Sequence, residues 1–283
     1  MYLDPSEGEY RQNDTFIVSV RINPEEECAN AIQADLSFPQ NSLEVQDISK
    51  GSSIISFWVK EPEFSNNNGF VSFAGGIPGG FCGLLLGDPG ESNLLGRIIF
   101  KTKESGGDPT SARIEFLNTS QVLLNDGLGT PAKLTAEGAA FEIKEVRPPG
   151  EVVPLNEWRE EIEKDKIPPE SFEIAINQDP TIFNGEYFIA FQTSDKQTGI
   201  DYYEVKEGDG EWQKTQSPYL LLDQGLRSII KVKAVDKVGN ERVAEYRPTQ
   251  KFSLWWLSSI LIGIAVIWRL IRRLKIKNPR LKI

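Results

Sequence analysis

The strongest constraint on the fold of this chain is a set of short segments in which apolar and polar residues alternate. Thr15 to Ile22 places four apolar side chains on one side, Phe16, Val18, Val20 and Ile22. A second segment repeats the pattern with Ile32, Ala34, Leu36 and Phe38. A period of two is typical of strands with one buried face, and turn-forming residues separate the segments. The pattern therefore predicts antiparallel β-sandwiches.

Further segments of this kind divide the chain into two sandwiches joined by a linker. The first sandwich is predicted over residues 1–146, with more strands at Leu43–Ser49, Ile54–Lys60, Phe70–Ala74, Leu94–Lys103, Ala112–Leu117, Gln121–Leu124 and Ala139–Lys144. The second is predicted over residues 171–248, where Asp209-Gly210 is a hairpin signal. Residues 147–170 predict a Pro-rich, semi-rigid spacer with one short amphipathic helix turn.

The order of motifs in the first segment resembles that of cohesin modules, which are related to family 2 and 3 carbohydrate-binding domains. The matching motifs are Asp14-Thr-Phe-Ile-Val-Ser-Val, Ala31-Ile-Gln-Ala-Asp-Leu-Ser-Phe-Pro, Leu43-Glu-Val, Gly51-Ser-Ser-Ile-Ile-Ser-Phe-Trp-Val, Val71-Ser-Phe-Ala-Gly-Gly-Ile-Pro, Gly96-Arg-Ile-Ile-Phe-Lys and Val122-Leu-Leu-Asn-Asp-Gly. The resemblance implies binding of a calcium-loaded dockerin module through one sheet face. The carbohydrate-binding relatives instead bind polysaccharide through exposed aromatic residues.

The second segment resembles the Ig-like or fibronectin-III-like repeats of bacterial surface proteins. The matching motifs are Gly199-Ile-Asp-Tyr-Tyr-Glu-Val, Glu211-Trp212 and Ala234-Val-Asp-Lys-Val-Gly-Asn. This resemblance implies a stalk rather than a second binding module.

Composition excludes several classes of function. The 283 residues include no histidine, which excludes a Ser-His-Asp triad, a Cys-His dyad and any His-ligated zinc site. A net charge of −10 disfavours nucleic acid as a partner. Nothing in the sequence positions two carboxylates across a cleft, so we expect a binding protein and not an enzyme.

The C-terminal region predicts a membrane anchor. Residues 252–268 carry no charge, and a helix over 252–271 would be long enough to cross the hydrocarbon core, which takes about 20 residues. Trp255 and Trp256 at one end and Trp268 at the other fit the aromatic belts of a membrane span. The basic tail, residues 272–283, places the C-terminus in the cytoplasm by the positive-inside rule.

This topology predicts a single-pass protein of the cell membrane whose N-terminal domains lie outside the cell. Export normally requires an N-terminal signal, yet Met1-Tyr2-Leu3-Asp4 shows neither a basic segment nor an apolar one. We expect the signal to be missing from this chain. A tail-anchored protein with a cytosolic body is the alternative.

Aromatic residues of the first sandwich are the predicted ligand-binding residues. If Ile54–Lys60 is a strand, Ile55, Phe57 and Val59 share one face, which we expect to lie against the core. Trp58 would then lie on the outer face, with Phe64 and Phe81 in nearby loops. An exposed Trp can anchor a protein interface or stack on a sugar ring. The alternative is a Trp covered by a loop or by the second domain.

Cys28 and Cys82 predict a disulfide, because an even pair outside the cell most simply pairs. Loop-closure entropy would give that bond about 3–4 kcal/mol of stability, less any strain. Two free thiols are the alternative.

Asp88, Glu91 and Asp126 lie in Gly-rich loops, where carboxylate oxygens can hold Ca²⁺. Neither loop matches the EF-hand pattern, and Asp also suits turns, so the turn interpretation is favoured and no cofactor is required.

Together these features predict an all-β chain of two sandwiches in tandem with one C-terminal transmembrane helix. Its predicted function is recognition of a dockerin-type protein module or a polysaccharide. A structural stalk of the cell envelope without a ligand is the alternative.

Overall fold

A computed structural model describes residues 1–24, 27–83, 92–103, 110–144, 154–248, 263–270 and 272. Its strands form two groups, each packed around its own apolar core. The predicted all-β, sandwich-like class is therefore confirmed.

The strands of the first sandwich occupy the N-terminal half of the chain. In chain order they are β1 (Tyr2–Asp4), β2 (Glu7–Arg11), β3 (Thr15–Arg21), β4 (Ala29–Ser37), β5 (Leu43–Ser49), β6 (Phe57–Ser65), β7 (Phe70–Phe81), β8 (Leu94–Thr102), β9 (Thr110–Phe116), β10 (Gln121–Leu124) and β11 (Ala139–Lys144).

Two sheets of the first sandwich enclose its core. One has the order β1-β3-β8-β5, and the other has the order β2-β11-β9-β4-β7-β6, with β10 also paired to β4. Alternation in β3 and β4 explains the packing, because Phe16, Val18 and Val20 and then Ala34 and Leu36 are fully buried. The hydrophobic effect thus fixes which face of each strand is buried.

The expectation of a purely antiparallel sandwich is wrong where β11 meets β2. β11 pairs with β2 in parallel, with Ile143 opposite Tyr10. The Tyr10 ring stacks on Phe16 and tilts against Phe141, so burial of aromatic surface holds β2 beside β11.

The described part of the predicted linker packs on the first sandwich. Helix α1 (Glu157–Lys164) begins where the side chain of Asn156 accepts a hydrogen bond from the N–H of Arg159, a common N-cap. The carbonyl of Leu155, just before α1, accepts a hydrogen bond from the N–H of Thr15. A carboxylate oxygen of Glu157, the first residue of α1, accepts a hydrogen bond from the N–H of Ile17. We call residues 154–165 the strap, because they run along β3 and accept hydrogen bonds from its backbone N–H groups.

The second sandwich has a three-stranded and a four-stranded sheet. Its strands are β12 (Ala175–Asp179), β13 (Ile182–Ala190), β14 (Ile200–Glu207), β15 (Gln213–Thr215), β16 (Tyr219–Leu220), β17 (Ile230–Asp236) and β18 (Glu241–Tyr246). The sheet orders are β12-β13-β16 and β15-β14-β17-β18. Ile189, Val205 and Val232 are fully buried between them. Its assignment to Ig-like or fibronectin-III-like repeats, like the domain boundaries, stays a prediction.

The second sandwich touches the first at a place we call the joint. It is formed by Asp47 and residues 49–52 of the first sandwich and by residues 195–199 and Lys237 of the second. The Ser49 hydroxyl donates to the carbonyl of Thr198, and the backbone N–H of Ser52 donates to the carbonyl of Asp195.

The predicted transmembrane segment, 252–271, lies mostly outside the described residues, as do Trp255 and Trp256. Residues 263–270 are helical, and Trp268 in that stretch is exposed beneath the Arg272 guanidinium, 4.0 Å from its ring centre. Within the described ranges, none of the helices combines the length and the apolar character needed to cross a bilayer.

Candidate functional site

The candidate site is the side of the β9-β4-β7-β6 sheet that faces away from the core. Pairing of β4 with β7 places Asp35 opposite Ser72 and Gln33 opposite Ala74, while pairing of β6 with β7 places Lys60 opposite Ala74. Because side chains alternate, these residues share one side of the sheet, and Ala34, Leu36 and Phe73 fill the core on the other. We call this surface the outer face; it comprises Gln33, Asp35, Phe57, Lys60, Glu63, Ser72, Ala74, Gly76, Gln121 and Leu123.

A hydrogen-bond network centred on Asp35 lies in the middle of the outer face. The Ser72 hydroxyl donates to one carboxylate oxygen of Asp35, and Gln33 Nε2 donates to the other at 2.7 Å. Lys60 Nζ in turn donates to Ser72 Oγ at 2.7 Å and pairs with Glu63 at 2.8 Å. Asp35 is only 8% exposed, so its charge is held in place by surrounding donors.

The pKa of Asp35 reflects this environment. Burial alone would raise it, but hydrogen bonds from Ser72, Gln33 and Thr119 and the nearby Lys60 charge outweigh burial and lower the pKa below its usual value. Asp35 is therefore a fixed negative charge on the outer face at neutral pH.

The backbone of Asp35 is fixed as well. The Ser120 hydroxyl donates to the Asp35 carbonyl at 2.9 Å, and its oxygen accepts the Asp35 N–H at 3.0 Å. Ser120 lies just before β10, so this contact joins β10 to the centre of the face. Such an arrangement loses little conformational freedom when a partner binds.

An exposed aromatic ring borders the network. Phe57 pairs with Gly76 and is 57% exposed, and a Cβ built on Gly76 would lie 4.0 Å from its ring. Because Ala74 has a small side chain and Gly76 has none, little side-chain volume stands beside the Phe57 ring on this side of the sheet. The outer face thus combines a charged, ordered centre with an apolar projection at its β6 edge.

The prediction that Trp58 lies on the outer face, with Phe57 and Val59 inside, is wrong. Phe57 and Val59 are 57% and 73% exposed, whereas Trp58 is half-buried and its ring meets Phe73 edge-on at 5.9 Å. Ile55 is buried, but β6 begins only at Phe57, and its register shifts between Trp58 and Lys60. Strict alternation from Ile55 therefore does not hold, because the chain changes direction before the strand begins.

The other two predicted binding residues differ in position. Phe64 pairs with Val71 on the core side of β6, although at the sheet edge its side chain is exposed. Phe81, at the end of β7, packs against the core. The structure brings neither residue into the Asp35 network. Sequence reasoning missed Asp35, Ser72 and Phe57, although the alternation in β4 already places Gln33 and Asp35 on the outward side.

The predicted disulfide between Cys28 and Cys82 is confirmed. It joins the residue before β4 to the residue after β7, next to the paired residues Ala29 and Phe81. The glycine-rich stretch beginning at Gly75 lies inside β7. The Cys28 carbonyl also accepts the N–H of Asn125 at 2.8 Å, so the bond supports one end of the outer face.

Of the predicted calcium ligands, Asp88 and Glu91 lie outside the described residues. The Asp126 carboxylate accepts hydrogen bonds from the Thr130 hydroxyl and from the N–H groups of Leu128, Gly129 and Thr130. These bonds, that of the hydroxyl above all, lower the pKa of Asp126. Its position is that of a turn residue.

Three buried carboxylates meet beside the joint. Asp165 follows α1, Asp195 follows β13 and Asp236 ends β17, and one oxygen of each lies within 4.8 Å of the others. Oxygens at this spacing could hold a cation such as Ca²⁺. Each carboxylate also fixes local backbone, since Asp165 accepts the Thr198 N–H and hydroxyl, and Asp236 accepts the N–H of Asn240.

The pKa of Asp195 reflects its burial in this cluster. Burial first, and then the charges of Asp165 and Asp236, raise the pKa of Asp195 against the lowering effect of hydrogen bonds from the N–H groups of Gly199 and Gln197. The pKa of Asp195 therefore depends in part on the contact between the second sandwich and the strap, because this contact brings Asp165 close to it.

Comparison with known proteins finds cohesins among the similar solved structures. No family model and no curated protein matches the chain. Among solved structures, a type I cohesin–dockerin complex of Clostridium thermocellum is 15% identical, with 51% of this chain and 92% of that chain covered and a TM-score of 0.40. A non-cellulosomal cohesin of Archaeoglobus fulgidus is 18% identical, with 50% and 88% covered and a TM-score of 0.38.

A cohesin module from a family 33 glycoside hydrolase of Clostridium perfringens is also similar. It is 11% identical, with 49% of this chain and 91% of that chain covered and a TM-score of 0.36. Similarity at this level does not assign the chain to a family.

Proposed function

We propose that this chain is a non-catalytic recognition protein whose outer face binds a dockerin-type module of another protein. The observation that carries this proposal is the buried, fully hydrogen-bonded Asp35 network beside the exposed ring of Phe57. The motif order of the first sandwich, which resembles that of cohesins, supports the choice of partner.

The combination fits what protein interfaces require. Exposed aromatic side chains provide most of the binding energy when a partner covers them, and Phe57 is placed to do this. Surrounding polar groups give specificity, and the buried Asp35 carboxylate holds Ser72 and Gln33 in place on the face that a partner would contact. Because the network is already ordered, little entropy is lost on binding.

We further propose that the chain is anchored in the cell membrane by its C-terminal region, with both sandwiches outside the cell. Residues 252–268 without charge, the terminal tryptophans and the basic tail support the anchor. The exposed apolar side chains of Ile264, Val266 and Ile267 are compatible with a lipid environment. A disulfide fits an oxidising compartment.

Binding of the detergent-solubilised full chain to a panel of calcium-loaded dockerin modules and insoluble glycans tests the proposal. We expect saturable binding of a dockerin at one site. Phe57→Ala and Asp35→Asn should each weaken that binding about tenfold or more, because Phe57 supplies exposed apolar surface and Asp35 orders the polar side chains beside it.

Lys144→Ala is the matched control, because Lys144 lies on β11 in an exposed ion pair with Glu9 that contributes little. Retention on glycans without dockerin binding would replace the proposed partner with a polysaccharide. Absence of binding in both panels would leave a structural stalk as the function.

A further inference from the structure

We propose that the joint holds the two sandwiches as one rigid body, so that the outer face keeps a fixed orientation relative to the C-terminal region. This inference goes beyond the proposed function and does not depend on it. Domains joined by a linker normally move relative to each other unless their contact is well packed. Three independent features of the joint argue for such packing.

The first feature is a close backbone approach between two glycines. A Cβ built on Gly51 would lie 2.2 Å from the carbonyl oxygen of Gln197, and one on Gly199 would lie 2.8 Å from the backbone nitrogen of Gly51. Gly199 also has a φ of +87°, which favours glycine for its own reasons. The φ of Gly51 is not in this range. A side chain at Gly51 is therefore excluded by the contact with Gln197 of the second sandwich and not by backbone conformation.

The second feature is a charged pair between residues 190 positions apart. Lys237 Nζ lies 2.7 and 2.6 Å from the two carboxylate oxygens of Asp47, and the lysine side chain is only 14% exposed. Removing a lysine from water is unfavourable unless its partner stays in place. Asp47 follows a register shift in β5, and such irregularities redirect side chains.

The third feature is the strap, which attaches the connection itself to both sandwiches. Glu161 in α1 pairs with Arg97 of β8 at 2.8 Å. One residue after α1, Asp165 accepts the hydroxyl and the N–H of Thr198, which itself belongs to the joint. The second sandwich is therefore held by the joint and by a short, fixed strap, and not by a free linker.

Distance measurement between spin labels in the full chain tests this proposal. Labels are placed at Ser111→Cys on β9 and Asp209→Cys on the β14–β15 turn, and the disulfide leaves Cys28 and Cys82 unlabelled. We expect a single narrow distance distribution. Gly51→Ala should broaden it several-fold, because the added methyl group cannot coexist with the Gln197 carbonyl.

Gly96→Ala is the matched control, because a Cβ there meets only ordinary contacts of 3.7 Å or more within the first sandwich. Its distribution should stay narrow. A broad distribution in the unmodified background, or no effect of Gly51→Ala, would overturn the proposal.

A charge exchange gives a second test that does not depend on glycine. Asp47→Lys and Lys237→Asp should each broaden the distribution, since like charges then face each other across the joint. The double variant should restore the narrow distribution, which a merely misfolded variant would not do. Failure of the double variant to restore it would contradict the orienting role of this pair.

Discussion

At the scale of single residues, Asp35 shows how a carboxylate can be kept charged on a sheet. Ser72 and Gln33 bind its two oxygens, and Lys60 is connected through Ser72. Gln33 lies two positions before Asp35 in β4, whereas Ser72 and Lys60 come from β7 and β6, so the pairing of β4 with β7 and of β7 with β6 completes the network. The environment of this charge thus depends on strand register as well as on local sequence.

Asp35→Asn should lower the free energy of unfolding by about 1–3 kcal/mol at pH 7, since hydrogen bonds to a charged group are lost. The pKa of Asp35 is lower in the folded protein than its ordinary value of 3.8, so its stabilising contribution is present above pH 3.8 and is lost as the pH falls through the folded-state pKa. Urea unfolding of both proteins from pH 7 to pH 3 measures this. A difference that did not shrink with acid would contradict the charged network.

At the scale of elements, β6 is an edge strand that is modified against further pairing. Its register with β7 shifts twice, between Trp58 and Lys60 and between Lys60 and Glu63, and Pro62 interrupts it. Bulges and proline are common protections of a sheet edge. Phe57 and Trp58 lie before both shifts, so their orientation comes from the bend that precedes β6, and the protected edge and the exposed Phe57 ring have separate causes.

Two neighbouring substitutions in β6 should therefore have opposite consequences. Trp58→Ala should lower the free energy of unfolding by about 2–3 kcal/mol, because the ring packs on Phe73 and the core. Phe57→Ala should change it by about 0.5 kcal/mol or less, because the ring is exposed. Guanidinium unfolding of both variants measures these free energies. A larger loss for Phe57→Ala than for Trp58→Ala would contradict the structure and favour the simple alternation that places Trp58 outside.

At the scale of the whole molecule, the strap and the second sandwich bring acidic groups together that are remote in sequence. Asp165, Asp195 and Asp236 are all buried where these parts meet. Ionised carboxyl groups in such a place oppose folding unless a proton or a cation accompanies them. The stability of the molecule should therefore depend on pH through Asp195, whose pKa is raised.

Asp195→Asn should raise the thermal midpoint at pH 7 in the presence of a chelator. The folded-state pKa of Asp195 is raised above its ordinary value of 3.8, so its favourable contribution is complete below pH 3.8 and is lost as the pH rises through the folded-state pKa. The advantage of the variant should disappear in acid. Calorimetry from pH 3.5 to pH 7 measures this, with the exposed Asp209→Asn as control; a destabilised variant at pH 7 would contradict the prediction.

Sequence patterns predict parts of this molecule that depend on local alternation. The inward residues of β3 follow directly from such reasoning, whereas the Cys28–Cys82 bond is predicted from the cysteine count and the expected location outside the cell. The position of Trp58 does not, because it depends on where the chain bends before β6. The Asp35 network depends on Ser72, which is far along the chain, and only the register of two strands reveals the contact.

The joint also determines how a mechanical load would pass through the molecule. A pull applied beyond β18 would reach β17 through their shared ladder and then the first sandwich by two routes. One route runs from Lys237 to Asp47 in β5, and the other runs through the strap to β3. These strands flank β8 in the same four-stranded sheet. Beside these two noncovalent routes, the covalent chain joins the strap to β11, so tension would reach both the four-stranded sheet and the sheet that carries the outer face.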